Sequence, residues 1–410
     1  MADTAVSVQM TPEAQRDMLV PLVKSRPPVE AATLLEEYPA PIIADVLLAL
    51  NPAFSQDIVM VLPGGLVDAV MKAAPPERAK QWAFNSVFPE DTIGRMMEPA
   101  LSVFPPEMTV AHTISELRTL VQKAFITYGY VVDPQGKLLG IITMRDLLFS
   151  GAEKRLEDIM LKSVFSLLPG QPLADAMKLV LDRHYPVYPV CDANGILIGL
   201  VRGQAMFEEH SFEITAQAGT MVGVEKEERL TTHWLQSFKF RHPWLQLNLL
   251  TAFVAGAVVG VFEGTVERLV VLAAFLPVLA GQSGNTGCQA LAVTLRGMTL
   301  GELKPGKEKE LVFKEALLGA MNGAFTGLIA GGGMYLYASK QNMPEALLLA
   351  FVVWLALVGA CVTSGVCGAM IPLTLKKFGA DPATASSIFL TTATDVVSMG
   401  LLLGLATILV

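Results

Sequence analysis

The chain has 410 residues, more than one compact domain usually contains. Hydrophobic residues make up 52% of it and its mean hydropathy is +0.49, above the range of ordinary soluble proteins. The net charge of −8 at pH 7 argues against nucleic acid as a partner.

The apolar residues are unevenly distributed along the chain. Residues 1–238 contain no clean apolar run of 18 residues, whereas residues 243–410 are almost entirely apolar. This pattern predicts a soluble half followed by a membrane half. The opening segment MADTAVSVQM lacks the basic start and apolar core of a secretory signal. We therefore expect the soluble half to stay in the cytosol.

Residues 1–95 are predicted to form a helical N-terminal domain. In the stretch AATLLEEYPAPIIADVLLAL the apolar residues fall in helical clusters, and prolines separate these clusters from one another. The pattern indicates a small stack of short helices and carries no catalytic signature.

Residues 96–205 contain an internal repeat. The segments VVDPQGKLLG (131–140) and VCDANGILIG (190–199) align with an offset of 59 residues. Each predicts a strand, an Asp-x-x-Gly turn and a second strand, and a helical stretch precedes each. Two such α/β units resemble a tandem pair of CBS modules, which bind adenine nucleotides or dimerise.

The two repeats differ at the positions that bind ribose and phosphate in CBS modules. GIITMRD in the first repeat has Thr143 and Asp146 there, whereas GLVRGQA in the second has Arg202 and Ala205. If ATP binds to the CBS pair, the resemblance places it at the first repeat.

Residues 206–240 are polar and charged and are predicted to form a connecting, plug-like helix that leads into an all-α membrane domain over 241–410. Each of the five predicted spans is near the ~20 residues that a bilayer requires. They lie at about 243–263, 267–296, 312–338, 345–375 and 382–410. Lysine and arginine concentrate on one side of these spans, which predicts a cytosolic N-terminus in the inner (plasma) membrane.

Small residues recur at helical spacing in the predicted spans. Gly319, Gly323, Gly327 and Gly331 form one stripe, and residues 256, 260 and 264 form another. Such stripes let helices pack closely in lipid. Two alternatives are open: the stripes only assemble the helix bundle, or their backbone carbonyls line a narrow path.

Asp395 is an acidic residue in the middle of the last span, roughly 20 Å from its cytosolic start. An ionised carboxylate at this depth costs several kcal/mol. Thr391 and Thr392 share its helix face, and no basic residue lies at a similar depth in any span. The residue indicates a water-filled cation path, with a structural carboxylate hydrogen-bonded to a neighbouring helix as the alternative.

The stretch AFLPVLAGQSGNTGCQALA (274–292) combines helix-breaking residues with polar amides. We expect an unwound segment there, in which Asn285 and free carbonyls offer oxygen ligands to a hard cation. Cys288 without a second thiol nearby disfavours a softer metal. Glu263, at the outer end of the first span, is either a solvated interfacial carboxylate or a mouth residue that concentrates cations.

LPVLAGQSGNTGCQ, GADPATASS and TTATDVVSMGLLLGLA resemble signature segments of the MgtE family of magnesium transporters and channels. The domain order of the whole chain is also similar to that family. The resemblance implies a homodimer with the pore between subunits, in which Asp395 recognises hydrated Mg²⁺ and Thr391 and Asn285 support it. Mg²⁺ sheds its water reluctantly, so one carboxylate from each subunit suits the hydrated ion.

The resemblance also implies that the cytosolic domains sense internal Mg²⁺, because a divalent ion joins clustered carboxylates that otherwise repel. Each candidate is equally consistent with a solvated acidic linker. The candidate carboxylates are Asp91, Glu98, Glu208, Glu209, Glu213, Glu225, Glu227 and Glu228.

The sequence therefore predicts a Mg²⁺ channel or transporter that is not an enzyme, since no phosphate loop, nucleophile–base pair or ATPase motif is present. Transport of another divalent cation (Mn²⁺, Co²⁺ or Ni²⁺) stays open. So does a membrane-anchored nucleotide sensor, in which the spans serve as an anchor.

Overall fold

The computed structural model describes residues 11–122, 124–304, 306–384 and 386–410. The chain divides into two compact units. The first unit runs to Glu213 and includes Arg229–Thr232, and the second comprises Ile214–Glu228 and His233–Val410. The division falls within the segment that was predicted to connect the soluble and membrane halves.

Six short helices open the first unit, as the proline spacing predicts. Five of them carry proline in their first turn, where its missing N–H leaves no hydrogen bond unmade. Leu19, Leu35, Ile43 and Ile58 are fully buried in their common core. The helices are α1 (Pro12–Lys24), α2 (Pro28–Leu35), α3 (Ala40–Ala49), α4 (Pro52–Val61), α5 (Gly64–Ala73) and α6 (Pro76–Asn85).

The predicted repeat is confirmed at the level of single residues, because strand bounds, turns and a bulge all recur 59 residues apart. A three-stranded sheet has the order β1-β2-β3, with β1 parallel and β3 antiparallel to β2, while β4 and β5 form an antiparallel pair. The strands are β1 (Val103–Phe104), β2 (Tyr128–Val132), β3 (Leu138–Thr143), β4 (Val187–Cys191) and β5 (Leu197–Arg202). The helices between them are α7 (Val110–Leu120), α8 (Met144–Phe149), α9 (Leu156–Ile159) and α10 (Leu173–Val180).

The Asp-x-x-Gly turns explain why each repeat forms a hairpin. Asp133 accepts hydrogen bonds from the backbone N–H groups of Gln135 and Lys137, both at 2.9 Å, and Asp192 makes the equivalent pair. The glycines at 136 and 195 both have φ of +84°, which favours glycine because it has no Cβ.

The expected connecting helix over 206–240 is wrong as a single element. Helix α11 (Gly203–Thr220) ends early, residues 221–233 form turns, and α12 (Trp234–Val261) starts nine residues before the predicted first span. Gly223, with φ of +81°, packs closely against Trp244. The chain turns here because this packing and the positive φ interrupt the helix.

Five long helices and one short helix make up most of the second unit. Three of the long ones, in the part of the chain described, have the length and apolarity to cross a membrane: α12, α16 (Ala346–Lys377) and α17 (Ser386–Leu409). The others are α14 (Leu276–Thr299), with several amide side chains, and α15 (Glu308–Lys340), which opens with charged residues. Five spans therefore remain a prediction.

The second predicted span and its unwound segment require correction. The span was expected from residue 267, but α13 (Glu263–Arg268) and a 3-10 turn over Val270–Ala274 come first. Helix α14 then runs continuously through the glycine-rich stretch. Pro277 lies in its first turn, where proline is tolerated, and the Ser283 and Thr286 hydroxyls donate to carbonyls of their own helix at 3.2 and 3.0 Å.

The two glycine stripes differ in use. A Cβ at Gly323 would lie 2.8 Å from the Val358 Cα, and one at Gly331 would lie 2.8 Å from the Ala350 carbonyl oxygen, so the first stripe lets α15 pack directly on α16. A Cβ at residue 256, 260 or 264 would meet nothing within 4 Å. The first stripe assembles this unit.

Candidate functional site

Helices α14 and α17 pack against each other around the predicted pore residues. A Cβ built on Gly287 would lie 2.9 Å from the Leu390 side chain, and one on Gly284 would lie 4.0 Å from the Thr394 Oγ1. Asn285 and Asp395 directly follow Gly284 and Thr394 in sequence. The structure thus brings the two polar residues to one level of the α14–α17 pair.

The Asp395 side chain is half-buried on α17. Among the residues described, neither an ion pair nor a hydrogen bond reaches its carboxylate. The Thr391 hydroxyl, one helical turn earlier, is exposed and donates to the Ser387 carbonyl at 2.8 Å. Both oxygens of this half-buried carboxylate are therefore free to accept hydrogen bonds or to bind a cation.

The outward face of α14 carries polar groups. Asn285, Cys288 and Gln289 are exposed on the surface of the second unit, while Ser283 and Thr286 on the other face are buried. A membrane helix seldom turns amide side chains toward lipid, because hydrocarbon offers them no hydrogen bond. This face suits a water-filled path.

The structure does not bring Glu263 to this site. It starts α13 in an exposed position, and Thr265 of the same helix shares a 2.7 Å hydrogen bond with Thr407 near the end of α17. Thr407 follows Asp395 by twelve residues, which is about 18 Å along a helix. Glu263 belongs to the end of the helical bundle.

Sequence reasoning missed Glu315. Its side chain is only 7% exposed, on the part of α15 that packs on α16, and it pairs with Lys314 at 3.3 Å. It follows Lys314, one of the basic residues that predict the orientation of the spans, and its backbone carbonyl packs closely against Gly365 of α16. The sequence did contain a signal for its burial: Glu315 lies four residues before Gly319, on the helix face of the glycine stripe.

Glu98 in the first unit is held by arginines on both sides. Its Oε2 accepts from Arg78 at 2.9 Å and its Oε1 accepts from Arg202 at 2.8 Å. Arg78 belongs to α6 of the helical domain, and Arg202 ends β5 of the second repeat. Arg202 is the residue that replaces Thr143, so the departure from the CBS pattern serves a salt bridge here.

The other predicted regulatory carboxylates of the first unit lie in two places, one near a 3-10 turn and three on α11. Asp91 has a left-handed φ of 59° near the 3-10 turn over Ile93–Met96. On α11, Glu208 accepts from the Gln204 amide at 2.9 Å and Glu213 lies 3.6 Å from the His210 Nδ1. Glu209 lies next to Glu208 on the same helix.

In the second unit, Glu225, Glu227 and Glu228 lie in the turns after α11. The Glu228 side chain is 3% exposed and accepts from Arg241 at 2.5, 2.9 and 3.1 Å. These hydrogen bonds from Arg241 lower the pKa of the Glu228 carboxyl. Within the described ranges, no three His, Cys, Asp or Glu side chains come together as a ready-made metal site.

Thr143 and Asp146 form a capping box at the start of α8. The Asp146 N–H donates to the Thr143 Oγ1 at 3.2 Å, and the Thr143 N–H donates to the Asp146 carboxylate at 3.0 Å. The Thr143 hydroxyl also donates to this carboxylate at 2.7 Å. These two residues already have a structural use without a nucleotide.

Segment Ile214–Glu228 is attached to the ends of the two candidate pore helices. The Gln217 amide donates to the Thr299 Oγ1 of α14 at 2.8 Å. The Met221 carbonyl accepts from the N–H and the hydroxyl of Ser387 on α17, at 3.1 and 2.7 Å. The end of α11 is thus tied to both helices.

These features are those expected of a membrane transporter of cations that carries a CBS pair. Residues 276–405 match the MgtE family, described as divalent cation transporters, and residues 93–153 and 156–206 each match a CBS domain. Over these residues the chain is similar to the MgtE family.

Two similar proteins are both named magnesium transporter MgtE. The one from Bacillus subtilis is 28% identical over 82% of this chain and 72% of its own length. The one from Enterococcus faecalis is 28% identical over 76% of this chain and 68% of its own length. A crystal structure of the cytosolic domain of the Mg²⁺ channel MgtE in complex with ATP aligns with 49% of this chain and 86% of that domain, at 23% identity and a TM-score of 0.42.

Proposed function

We propose that the chain transports Mg²⁺ through a cation-selective pore gated by its cytosolic region. The observation that carries this proposal is the Asp395 carboxylate, half-buried on α17 beside α14 with no basic partner among the described residues. Residues 276–405 match the model of a divalent cation transporter family, and two similar proteins that match most of the chain are named magnesium transporters.

The chemistry of Asp395 suits a hydrated divalent ion. Mg²⁺ dehydrates reluctantly and is usually bound through one or two carboxylates with several waters retained. The exposed amides of Asn285 and Gln289 and the hydroxyl of Thr391 can hydrogen-bond such waters. A second copy related by a two-fold axis would supply a second Asp395, so we propose a homodimer with the pore between its subunits.

We further propose five spans, with the N-terminus in the cytosol and the protein in the inner membrane. Lysines cluster at the α14–α15 connection and at the end of α16, which supports this orientation. Glu263 then lies at the outer mouth, where an exposed carboxylate raises the local cation concentration.

For regulation, we propose that internal Mg²⁺ acts through the eight predicted cytosolic carboxylates, and that it competes with arginine at two of them. Glu98 and Glu228 are already neutralised by Arg78, Arg202 and Arg241. The attachments of α11 to α14 and α17 offer a route by which such a change reaches the pore. ATP, if it joins this control, is assigned to Thr143 and Asp146 of the first repeat.

The test is Mg²⁺ uptake by the full chain in proteoliposomes that contain a Mg²⁺-sensitive dye. We expect Asp395→Ala to abolish uptake, because the path loses its charged ligand. Asp381→Asn is the matched control: Asp381 loses one charge just outside α17, where it caps the turn by accepting from the Ala383 N–H at 3.0 Å. Uptake that survives Asp395→Ala unaltered would show that the pore assignment is wrong.

The remaining alternatives are separated in the same vesicles. Influx of Mn²⁺, Co²⁺ or Ni²⁺ in preference to Mg²⁺ would reassign the substrate. Absence of any cation flux, together with nucleotide binding by the full chain, would favour a membrane-anchored sensor.

A further inference from the structure

An apolar groove of about 920 Å³ lies between α15 and α16, on the side of their connecting turn. Its walls include Gly331, Gly332 and Tyr335 of α15, Glu345 of the turn, and Phe351 and Trp354 of α16. None of the pore residues takes part, so the groove is a feature separate from the transport path.

The glycines of α15 create the groove. A Cβ at Gly331 would lie 2.8 Å from the Ala350 carbonyl oxygen, which shows that the two backbones nearly touch at its floor. A Cβ at Gly332, the next residue, would meet nothing within 4 Å. The space therefore exists because residue 332 has no side chain.

Trp354 forms a rigid wall at the deep end. Its indole N–H donates to the Ala324 carbonyl at 3.2 Å, and its ring stacks on Phe351 with centroids 5.8 Å apart. These contacts fix the ring orientation, so the wall keeps its shape. A fixed aromatic wall loses little side-chain entropy when a flexible chain lies against it.

The surroundings of the groove identify its medium. Leu328, Leu347 and Phe351, which line it, are 64, 75 and 48% exposed on the surface of the second unit. Helix α16 is long and apolar enough to span a membrane. Hydrocarbon chains of the bilayer therefore surround this surface.

The length of the groove matches one leaflet. Trp354 lies eight residues after the start of α16, which is about 12 Å along its axis. Half of the hydrocarbon core of a bilayer is about 15 Å thick. A single acyl chain that enters beside Glu345 would thus reach Trp354.

The polar groups sit together at the shallow end. Glu345 immediately precedes α16, and the phenol of Tyr335, on α15, is 45% exposed. A carboxylate at this point attracts an ammonium group and repels a net-anionic headgroup. We propose that the groove binds one phospholipid, with an acyl chain against Trp354 and an amine-bearing zwitterionic headgroup at Glu345.

The experiment uses the full chain with Trp354 as its only tryptophan, obtained by Trp82→Phe, Trp234→Phe and Trp244→Phe. It is reconstituted into phosphatidylglycerol vesicles that contain a small share of phosphatidylethanolamine with brominated acyl chains, which quench tryptophan fluorescence on contact. We expect Trp354 to be quenched well beyond the level that random contact with the bulk share of brominated lipid would give. Gly332→Leu should lower it at least twofold, because leucine fills the groove.

Gly333→Leu is the matched control, since a Cβ there also meets nothing within 4 Å but residue 333 does not line the groove. Its quenching should equal that of the parent. Equal quenching in both leucine variants, or quenching at the bulk share, would mean ordinary lipid contact and overturn the proposal. Trp354 that brominated lipid quenches only after the copies of the chain are separated would mean that a second copy covers the groove. This result would also overturn the proposal.

The headgroup is tested in the same protein. Brominated phosphatidylglycerol should quench at least twofold less than brominated phosphatidylethanolamine, and Glu345→Gln should remove the difference. Equal quenching by the two lipids in the parent protein would overturn the headgroup assignment. Mg²⁺ uptake is measured in parallel, so failure of lipid binding is distinguished from failure of the transport proposal.

Discussion

The acidic side chains of the soluble unit and those of the membrane helices are in opposite situations. Glu98 is neutralised by two arginines, at 2.9 and 2.8 Å. Asp395, in the less polar setting, has no basic partner among the described residues. A carboxylate with a built-in cation stabilises structure, whereas one held in apolar surroundings without a cation needs its charge balanced from outside. This difference separates structural acids from the acid assigned to transport.

The strongest way to break the contrast is to give Asp395 a basic partner. Thr391→Lys places an ammonium group one turn away on the same face, where it can pair with the carboxylate. We expect Mg²⁺ uptake to fall by at least about tenfold, because a fixed positive charge repels the ion in a low-dielectric path. Thr391→Gln, of similar length and without charge, should retain far more uptake in the same vesicle assay. Equal losses in both variants would point to packing as the cause.

The second prediction concerns Glu98, the carboxylate of the soluble unit that pairs with two arginines. Glu98→Gln leaves Arg78 and Arg202 without a countercharge, and we expect local destabilisation of about 1–2 kcal/mol, discounted for partial exposure. Hydrogen exchange of the β5 amides in the full chain measures it. Glu116→Gln, which breaks an exposed pair with His112, should cost less than about 0.5 kcal/mol. If the two variants behave alike, Glu98 is not the structural link between α6 and β5.

The two repeats differ in the capping box of Thr143 and Asp146, because the second repeat has Arg202 and Ala205 at these positions. Thr143→Ala should destabilise α8 by about 1 kcal/mol, because the Asp146 N–H loses its acceptor. Faster hydrogen exchange in the first turn of α8 is the readout. Ser150→Ala, at the other end of this helix, is the control. Unchanged exchange in Thr143→Ala would contradict a structural use of the box.

Acid titration examines the Glu228–Arg241 pair, where the effect is smallest. Arg241 lowers the pKa of Glu228, so this contact stabilises the folded state above the ordinary glutamate pKa of about 4.3. The stabilisation is lost as pH falls through the lowered pKa. Trp244, which packs against Gly223 of the same segment, should report this change in a variant where it is the sole tryptophan. Glu228→Gln should show the acid-type fluorescence already at pH 7, and a signal identical to the parent would contradict the assignment.

Local patterns in the sequence predicted the repeat, the α/β units and the short N-terminal helices. These features depend on near neighbours: an Asp-x-x-Gly turn specifies its own hairpin, and proline is favoured in the first turn of a helix. Asp395 and Asn285 were also predicted as pore residues, because they are polar side chains within apolar stretches, and this role stays a prediction. The structure places both at one level of the α14–α17 pair.

The same local rules failed in α14, where glycines and amides suggested unwinding. Gly287 is glycine because Leu390 of α17 fills the space beside it, and the hydroxyls of α14 bond to their own helix. A residue that breaks an isolated helix can be a contact point in a packed one. The sequence offered no means of distinguishing the two cases.

Periodicity and apolarity were sufficient to specify a soluble α and α/β half, an all-α membrane half and a lone acid within the last helix. The partners of each carboxylate were decided by tertiary contacts. Glu98 meets Arg78 across 20 residues and Arg202 across 104, while Asp395 meets no cation in the described chain. The residue type determines the charge of a side chain. Whether that charge is neutralised depends on which distant residues folding brings within a few ångströms.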